Sequence, residues 1–352
     1  MGKRATGDGP WRIRDVAAEA GVSTATVSRV LNNGVGFSAE TRDRVLRAAE
    51  RRGYRVAPTR RATGSRPGVV AVCCPYQLTD YFGLVLSGTA YSLQQRGKLV
   101  LLSTTGEGKT AASLYELLGG DRTEGAILIG PRSPTAALVD LRAMGYHFVV
   151  VEPLVPLPRD VAAISTAHMA GAKAATEHLI MLGHTRIATI GGPCHWKASR
   201  ERLSGYRAAL ASIGTIPSDE LVCSVEDPGV HEGLVATSSL LDLAEPPTAI
   251  VAFNDKTAIG AMEAAVARGQ RVPEDLSVVG FDDLLEICEA VVPRLTTVRQ
   301  RMEDMGRIAV EVLMRLLAGR DIDTLHVELA TELVIGQSTG PPPARARARS
   351  AR

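Results

Sequence analysis

The sequence predicts a two-part protein, in which a small all-α head is followed by an α/β body of two lobes, each built on a parallel sheet. Three short helical patterns occupy the first 53 residues, and short apolar runs alternate with helical patterns from residue 69 onward. The charge divides in the same way, since residues 1–66 carry +8, residues 339–352 add four Arg, and the segment between them carries −10. A basic head on an acidic body indicates a nucleic-acid-binding module attached to a non-binding body.

The composition is that of a globular protein with several cores. The chain has 352 residues, of which 45% are hydrophobic and 22% are charged, enough for a small module and two core-forming lobes. No apolar run approaches the roughly 18 residues that a membrane span needs. Residues 1–10 are polar and lack the apolar core of a secretory signal. We therefore expect a cytoplasmic protein that does not contact a membrane.

The cysteines and glycines give no indication of a metal or a cofactor. The cysteines are odd in number and show no C-x-x-C spacing, which argues against a disulfide framework and a zinc site. Residues 106–110 match only the end of a phosphate-binding loop. We expect no metal and no cofactor. The five cysteines are Cys73, Cys74, Cys194, Cys223 and Cys288.

The first sixty residues contain three short helices around a small apolar centre. Residues 13–20 are predicted to form a helix that ends at Gly21, where a left-handed residue is favoured. Ser23 caps a second helix over residues 24–31, and a third helix begins at the cap Ser38 and stops before residue 54. The tight turn between the first two helices predicts a helix-turn-helix.

The outward face of the second helix carries small and polar side chains and one Arg. Thr24 and Ala25 are small enough to let the helix approach the floor of the major groove, and Arg29 can donate two hydrogen bonds to a guanine. Short polar groups near the helix ends can bond phosphates. Periodicity alone fits any three-helix module, but these side chains favour DNA binding. The candidate DNA-contacting residues of this region are Ser23, Thr24, Ala25, Thr26, Ser28, Arg29 and Asn32.

The head resembles that of the lactose-repressor and galactose-repressor (LacI/GalR) family, through the strings IRDVAAEAGVSTATVSRVLNN and SAETRDRVLRAAERRGY. The resemblance implies that the second helix lies in the major groove of double-stranded operator DNA. It further implies that Thr24, Ala25 and Arg29 select the operator. The positions that match the family's phosphate contacts are Ser23, Thr26, Asn32 and Ser38.

The linker that follows the head departs from the family pattern. The family usually has a Leu that wedges into the minor groove from a short hinge helix, and Thr63 stands at that position here. Thr is smaller and polar, so it fills an unstacked base step less well. Arg61 is retained for a phosphate or minor-groove contact. The alternative is a basic, mobile linker without a hinge helix.

The body shows the alternation of strands and helices of a βα repeat. Short apolar runs without polar alternation are typical of parallel strands buried on both faces, and helical patterns separate them. A break near residues 164–168, after a Pro-rich stretch, predicts the passage from one lobe to the other. The predicted strands cover 69–74, 99–103, 126–129, 148–151, 186–190, 249–253 and 277–281, and the predicted helices 168–182, 199–211, 256–268 and 302–318.

The body resembles the periplasmic-binding-protein-like body of the same family. The resemblance rests on strings such as HLIMLGHTRIATIGGP, AIVAFNDKTAIGAMEA and VPEDLSVVGFDD, and it extends from residue 12 to about 338. The expected division is a DNA-binding domain (12–55), a hinge or linker (56–67), an effector-binding and dimerisation domain (68–338) and a disordered basic tail (339–352). Within the body, the first lobe is expected to hold about 68–163 and 295–320, and the second about 164–292 and 322–338.

Polar side chains at strand ends are the candidates for binding a small molecule between the lobes. Ligands of open parallel sheets bind at the carboxyl ends of the strands. Glu152, Asn254 and Asp282 follow predicted strands, and Arg202 lies in the next helix after another strand. The resemblance implies that Arg202, Asn254 and Asp282 bond effector hydroxyls. The alternative for each of these residues is ordinary loop capping.

An aromatic pair is expected across the cleft from these polar residues. Tyr81 and Phe82 fall where the family often has aromatic side chains over the ligand. Carboxylates with an Arg suit a polyhydroxylated ring, because each group makes two directional bonds. We therefore expect a sugar or a sugar derivative as effector. Residues 76–82 depart from the usual family sequence, which leaves the ligand class open.

Together these features predict a sequence-specific DNA-binding transcriptional regulator, a repressor whose operator affinity is controlled by a small molecule bound between the lobes. One recognition helix covers only a half-site, so a homodimer on a pseudo-palindromic operator is expected. Residues 339–352 lack the leucine heptads of a tetramerising coil. Whether the effector induces or co-represses is left open.

Two other classes of protein share parts of this pattern. A transport-type solute-binding protein would explain the body but not the basic head or the lack of a secretory signal. A sugar-handling enzyme would need an assembled acid and base. The nearest candidate pair, Cys194 and His195, consists of chain neighbours, which rarely aim at each other. We expect no enzymatic activity.

Overall fold

The computed structural model describes residues 13–31, 38–51, 68–75, 80–105, 110–320 and 324–343. The chain separates between residues 67 and 68 into a head and a body. None of the described helices is long and apolar enough to cross a membrane.

The head consists of the helices α1 (Ile13–Ala20), α2 (Thr24–Leu31) and α3 (Ala39–Arg51). The two serine caps lie where the sequence predicts them: Ser23 Oγ accepts the Thr26 N–H at 3.1 Å, and Ser38 Oγ accepts the Thr41 N–H at 3.2 Å. Gly21 adopts φ +64° between the first two helices. The three helices bury a shared apolar cluster of Val16, Ala17, Ala20, Val27, Val30, Val45, Ala48 and Ala49.

The described part of the body contains strands β1 to β12 and helices α4 to α12. The strands are β1 (Val69–Pro75), β2 (Leu99–Thr105), β3 (Gly125–Ile129), β4 (Phe148–Val151), β5 (Ala163–Thr166), β6 (Ile187–Gly191), β7 (Val222–Ser224), β8 (Ala249–Ala252), β9 (Ser277–Val279), β10 (Thr297–Arg299), β11 (His326–Leu329) and β12 (Glu332–Val334). The helices are α4 (Asp80–Gln94), α5 (Ala111–Leu117), α6 (Thr135–Ala143), α7 (His168–Met181), α8 (Lys197–Ser212), α9 (Val230–Leu241), α10 (Asp255–Ala267), α11 (Leu285–Ala290) and α12 (Met302–Leu317).

Two parallel sheets form the two lobes, which confirms the predicted fold class. The first lobe is built on the order β11-β5-β4-β3-β1-β2, and the second on the order β7-β6-β8-β9. Every strand pair within these two sheets is parallel. β10 and β12 form a separate antiparallel pair. Each sheet has its own buried apolar core.

The first crossing between the lobes, at residues 166–168, falls within the predicted break near 164–168, but the other two crossings lie at other residues than the sequence predicts. β5 and β11 were expected in the second lobe but pair with each other in the first sheet. Residues 295–299 were expected in the first lobe, yet the second lobe binds them, because the Gly280 N–H donates to the Thr296 carbonyl at 2.9 Å. β11 alternates polar and apolar residues as an edge strand does, so it lacked the continuous apolar run by which buried strands were found. The crossover segments are 166–168, 299–302 and 329–332.

The second lobe extends beyond residue 338, the end that the sequence predicts for it. The Gly340 N–H donates to Ser277 Oγ at 3.0 Å, and the Gly340 carbonyl lies 2.9 Å from His184 Nε2. Residues 339–343 therefore belong to the second lobe and not to a disordered tail. Residues 344–352 lie outside the described residues.

Glycines let pairs of helices pack backbone against backbone. A Cβ added to Gly306 of α12 would lie 2.3 Å from the Val85 carbonyl oxygen of α4, and one added to Gly88 of α4 would lie 2.1 Å from the Glu303 carbonyl oxygen of α12. No side chain fits at such distances. These contacts fix α4, which carries two of the predicted site residues, against α12.

Candidate functional site

The residues expected to contact DNA lie on or beside α2. Ser23 and Thr24 are exposed, and the hydroxyls of Ser23 and Thr26 lie 2.9 Å apart. Ser38, also exposed, caps α3. Ala25, Ser28 and Arg29 occupy positions within α2. Asn32, Arg61 and Thr63 lie outside the described residues, so these three assignments stay predictions.

A cavity of about 390 Å³ lies between the two lobes of the body. Both sheets face it with the carboxyl ends of their strands, as the strand-end argument predicts. Residues from both lobes line it, and all six residues predicted to bind the effector are among them: Tyr81, Phe82, Glu152, Arg202, Asn254 and Asp282.

Arg202 is held rigidly at the wall of the cavity. Its guanidinium carbon lies 3.6 Å from the centre of the Phe281 ring and 4.4 Å from that of Phe253, which places the cation between two aromatic faces. Its Nη1 donates to the Phe253 carbonyl, and its Nη2 lies 3.8 Å from Asp282 Oδ1. These contacts fix the guanidinium before any ligand binds.

Glu152 and Arg202 are joined by a histidine that sequence analysis missed. His168 Nε2 lies 2.8 Å from Glu152 Oε2, and its Nδ1 accepts from Arg202 Nε at 3.4 Å. The Thr166 N–H donates to Glu152 Oε1 at 2.7 Å. Burial alone would raise the pKa of Glu152, but His168 and the Thr166 N–H hold it below its ordinary value.

Asp282 is buried and faces Arg202. Gln300 Nε2 donates to its Oδ1 at 2.6 Å. Burial raises the pKa of Asp282 above its ordinary value, although Arg202 and the Gln300 amide act in the opposite direction. The backbone φ of Asp282, 117°, lies in a region that residues with a side chain rarely adopt.

Asn254 lines the cavity but uses both of its polar atoms for local structure. Its Oδ1 accepts the Thr257 N–H at 2.8 Å as the cap of α10, and its Nδ2 donates to the Pro228 carbonyl at 3.0 Å. This geometry is that of loop capping, the alternative raised for this residue. A ligand bond to Asn254 would use a second lone pair of Oδ1 or the second amide hydrogen.

Aromatic side chains face the cavity from both lobes. Tyr81 and Phe82 of α4 lie with their ring centres 5.3 Å apart and their planes perpendicular. Trp196, which precedes α8, lines the cavity from the second lobe, with its ring centre 6.1 Å from that of Phe253. The predicted pair is therefore extended by a tryptophan that the sequence analysis did not single out.

The missed residues have identifiable causes. His168 follows β5, so the strand-end rule would have selected it if this four-residue strand had been recognised. Trp196 lies five residues beyond the end of β6 at Gly191, too far for that rule. Lys256, which also lines the cavity, stands two residues after Asn254 and was read only as the start of a helix.

The motifs considered for catalysis and phosphate binding lie in the turn before α8, where Cys194 and His195 stand, and at the N-terminal cap of α5. Cys194 is exposed, and the His195 ring packs edge-on against Trp196 with 6.2 Å between their centres. Thr110, at the end of the phosphate-loop-like string, caps α5 by accepting the Ser113 N–H at 3.3 Å. Within the described residues, no group of three or more His, Cys, Asp or Glu is placed to hold a metal ion.

Two protein families match separate parts of the chain. Residues 12–56 match the bacterial regulatory proteins of the lacI family, and residues 176–339 match the periplasmic binding protein-like domain. The first match covers the head, and the second covers most of the second lobe together with α12 and β11 of the first lobe.

Known proteins match nearly the whole chain. The HTH-type transcriptional regulator CelR of Thermobifida fusca is 34% identical over 334 residues, covering 92% of this chain and 96% of its own. A solved CelR–cellobiose complex superposes with a TM-score of 0.71 at 31% identity, covering 93% of this chain and 99% of that one. The lac repressor dimer bound to operator and the anti-inducer ONPF gives 0.69 at 27% identity, covering 94% and 100%. The chain belongs to the lacI family of bacterial regulatory proteins.

Proposed function

We propose that this regulator is a repressor that binds a pseudo-palindromic operator as a homodimer, and that a sugar-like effector in the cavity changes its operator affinity. The observation that carries the proposal is the meeting of Arg202, Asp282 and Glu152 with aromatic side chains in one cavity between the lobes. A regulator that meets its operator on the chromosome acts in the cytoplasm.

The chemistry of the cavity suits a sugar ring. The Arg202 donor and the Asp282 acceptor lie 3.8 Å apart, close enough to bond neighbouring hydroxyls of one ring. Tyr81, Phe82 and Trp196 offer apolar faces for the C–H surface of such a ring. The solved complex of CelR with cellobiose shows a sugar bound by a relative, and it supports this ligand class here.

On the DNA side, the proposal assigns base reading to Thr24, Ala25, Ser28 and Arg29. Phosphate contacts are assigned to Ser23, Thr26, Asn32 and Ser38, and the hinge contacts to Arg61 and Thr63. The exposure of Ser23, Thr24 and Ser38 supports these roles, since each is open to a partner. Because Ser23 and Ser38 cap helices, they also place the amides of a helix N-terminus towards a phosphate.

The dimer is proposed from an exposed apolar strand. Among the described strands, β2 lies at the edge of the first sheet and pairs with β1, and its residue Leu99 is 63% exposed. Leu101 and Leu102 continue the apolar run, and Tyr91 of α4 is 65% exposed. A flat apolar edge of this kind is an association surface unless something covers it. We assign it to a second copy of the chain, as the lac repressor is solved as a dimer.

We propose no enzymatic activity for the cavity. Glu152 and Asp282, two of the carboxylates that line the cavity, are tied to His168 and Gln300 by hydrogen bonds of 2.8 and 2.6 Å. Both groups are therefore positioned as fixed ligand contacts.

A thermal-shift panel of sugars, sugar phosphates and nucleosides, with cellobiose included, tests the proposed ligand class. A ligand at a hundred-fold excess over its Kd stabilises the folded state by about 2.7 kcal/mol, which raises the melting temperature by several degrees. At the same sugar concentration the shift should be clearly smaller in Asp282→Ala and should persist in Asp242→Ala, an exposed carboxylate at the C-terminal end of α9 paired with Arg268. A panel without any sugar response, or an equal response in both variants, would contradict the proposal.

A further inference from the structure

A buried side-chain hydrogen bond joins two of the three crossover segments. Thr166 ends β5 in the segment 166–168, and Gln300 lies in the segment 299–302. Thr166 Oγ1 donates to Gln300 Oε1 at 2.6 Å. The two residues are 1% and 5% exposed, so water does not compete for the bond. Neither residue lines the cavity.

Each partner of this bond also holds one of the cavity carboxylates, and the two carboxylates belong to different lobes. The Thr166 N–H donates to Glu152 Oε1 at 2.7 Å, and Glu152 follows β4 of the first lobe. Gln300 Nε2 donates to Asp282 Oδ1 at 2.6 Å, and Asp282 follows β9 of the second lobe. A continuous chain of hydrogen bonds therefore runs from one wall of the cavity, through both crossover segments, to the other wall.

The backbone of Asp282 adds stiffness to this chain. Its N–H donates to the Val298 carbonyl at 2.8 Å, and its carbonyl accepts the Gln300 N–H at 3.1 Å. A movement of the Asp282 carboxylate is therefore passed to the segment 299–302, because three hydrogen bonds join this residue to residues 298 and 300.

We propose that Thr166 and Gln300 are positioning residues that transmit occupancy of the cavity to the arrangement of the crossover segments, and hence of the lobes. The inference rests on the proposed function, and it names the residues that couple effector binding to operator binding. A ligand that draws the Glu152 and Asp282 walls together strains or relieves the bond between Thr166 and Gln300. Two lobe arrangements that differ in this bond are then stabilised unequally by the ligand, which is the condition for coupling.

Two substitutions at Thr166 separate the hydroxyl from the packing. Thr166→Val keeps the branched shape and removes the hydroxyl, and Thr166→Ser keeps the hydroxyl and removes a methyl group. Both retain the backbone N–H that binds Glu152. The hydroxyl also lies within hydrogen-bond distance, 3.5 Å, of Met305 Sδ, a weak acceptor, so Thr166→Val removes this weak contact as well and Thr166→Ser keeps it.

The decisive quantity is the coupling factor, the ratio of operator Kd with and without saturating cellobiose. We expect Thr166→Val to bring this ratio about two- to ten-fold closer to one. This factor corresponds to the net free energy that one neutral hydrogen bond contributes. Operator affinity without sugar, and cellobiose affinity without DNA measured by calorimetry, should stay within about three-fold of native, and Thr166→Ser should keep the native coupling factor. A native factor in Thr166→Val, or an equal loss in both variants, would overturn the proposal.

A second measurement needs no ligand. In amide hydrogen exchange of the full chain, Thr166→Val should speed the exchange of the peptide covering residues 298–302, and Thr166→Ser should leave it native, because the bond anchors that segment. If this peptide exchanges at the native rate in Thr166→Val, the proposal is also overturned. If cellobiose and the other sugars of the panel change neither the melting temperature nor the operator affinity of the native protein, the proposed ligand class is wrong. The exchange result then decides by itself whether the hydrogen bond between Thr166 and Gln300 anchors the segment 299–302.

Discussion

Two residues at the cavity, Glu152 and Asp282, adopt backbone conformations that residues with a side chain rarely take. Among the described residues, the non-glycine residues with positive φ are Glu152 at 51°, Asp282 at 117° and Asp283 at 59°. Such conformations cost about 1–3 kcal/mol each and persist where the surrounding contacts enforce them. Glu152 is enforced by His168 and Asp282 by Gln300. Strain at two candidate ligand contacts fits a site that is formed in advance.

Arg29→Ala tests the reading of bases by α2. Loss of a bidentate contact to guanine should cost about 1–3 kcal/mol at the cognate operator and much less on random DNA. Arg47→Ala removes an equal charge from the exposed face of α3 and serves as the control. Binding to both DNAs is measured at a fixed salt concentration, because the free energy of contacts with DNA phosphates depends on salt. Equal losses for Arg29→Ala on operator and random DNA would contradict a base-reading role.

Asp255 predicts a pH dependence of stability. It is fully buried and accepts hydrogen bonds from the Thr297 hydroxyl at 2.5 Å and the Leu284 N–H at 2.8 Å. Burial raises its pKa from the ordinary 3.8 to about 6 in spite of these bonds. The folded state therefore binds this proton more tightly than the unfolded chain, so the Asp255 contribution to stability grows as the pH falls through 6 towards 4.

Asp255→Asn removes this titration and is compared with the native protein by urea unfolding at several pH values. The free energy of unfolding of the native protein should rise relative to that of the variant between about pH 7 and about pH 5. A difference that does not change with pH would mean that the Asp255 carboxyl ionises alike in the folded and unfolded states.

The candidate site was predicted from sequence as far as strands were recognised. Glu152, Asn254 and Asp282 follow apolar runs that the pattern revealed, and the structure brings them to one cavity. His168 and Gln300 follow β5 (AIST) and β10 (TVR), short strands whose polar residues interrupt the apolar run by which the other strands were recognised. Hydrogen bonds between residues 134 positions apart, such as that of Thr166 and Gln300, leave no pattern in one sequence.

The elements of the body pack at glycines, which gives a stability prediction. Gly306→Ala places a Cβ 2.3 Å from the Val85 carbonyl oxygen and 2.6 Å from the Thr89 N, backbone atoms that cannot rotate away. The helices α4 and α12 must then move apart, which should lower the free energy of unfolding by about 1–3 kcal/mol. Gly83→Ala, in the partner helix α4, meets no atom within 4 Å and should raise stability by about 0.5–1 kcal/mol through helix propensity. Denaturant unfolding of both variants checks the pair. Equal stability of the two variants would contradict the packing argument.

Most long elements were predicted within two residues of their observed ends. The helix pattern of 168–182 corresponds to α7, and 302–318 corresponds to α12. The later two lobe crossings were predicted less well than the first, because they depend on pairings of β10 and β11 that are remote in sequence. The hinge, including Arg61 and Thr63, lies outside the described residues and stays a prediction.

For the whole molecule, the dimer gives a prediction about the DNA site. Two copies related by a two-fold axis should protect a pseudo-palindrome with half-sites about one helical turn apart. Leu99→Lys, which charges the exposed edge strand β2, should shift the protein towards monomer in ultracentrifugation and weaken the footprint. A single unrepeated half-site protected by the native protein would contradict the dimer.

The most direct test of the whole account is a sugar titration of the operator-bound protein, native and Asp282→Ala, followed by fluorescence anisotropy of labelled operator. The panel sugar that raises the melting temperature most should change native operator affinity by about five-fold or more. Asp282→Ala should bind operator within a few-fold of native without sugar. It should need about ten- to a hundred-fold more sugar, because one charged hydrogen-bond partner is lost from the cavity. A native protein whose operator affinity ignores the sugar, or an Asp282→Ala variant that responds at the native sugar concentration, would contradict the account.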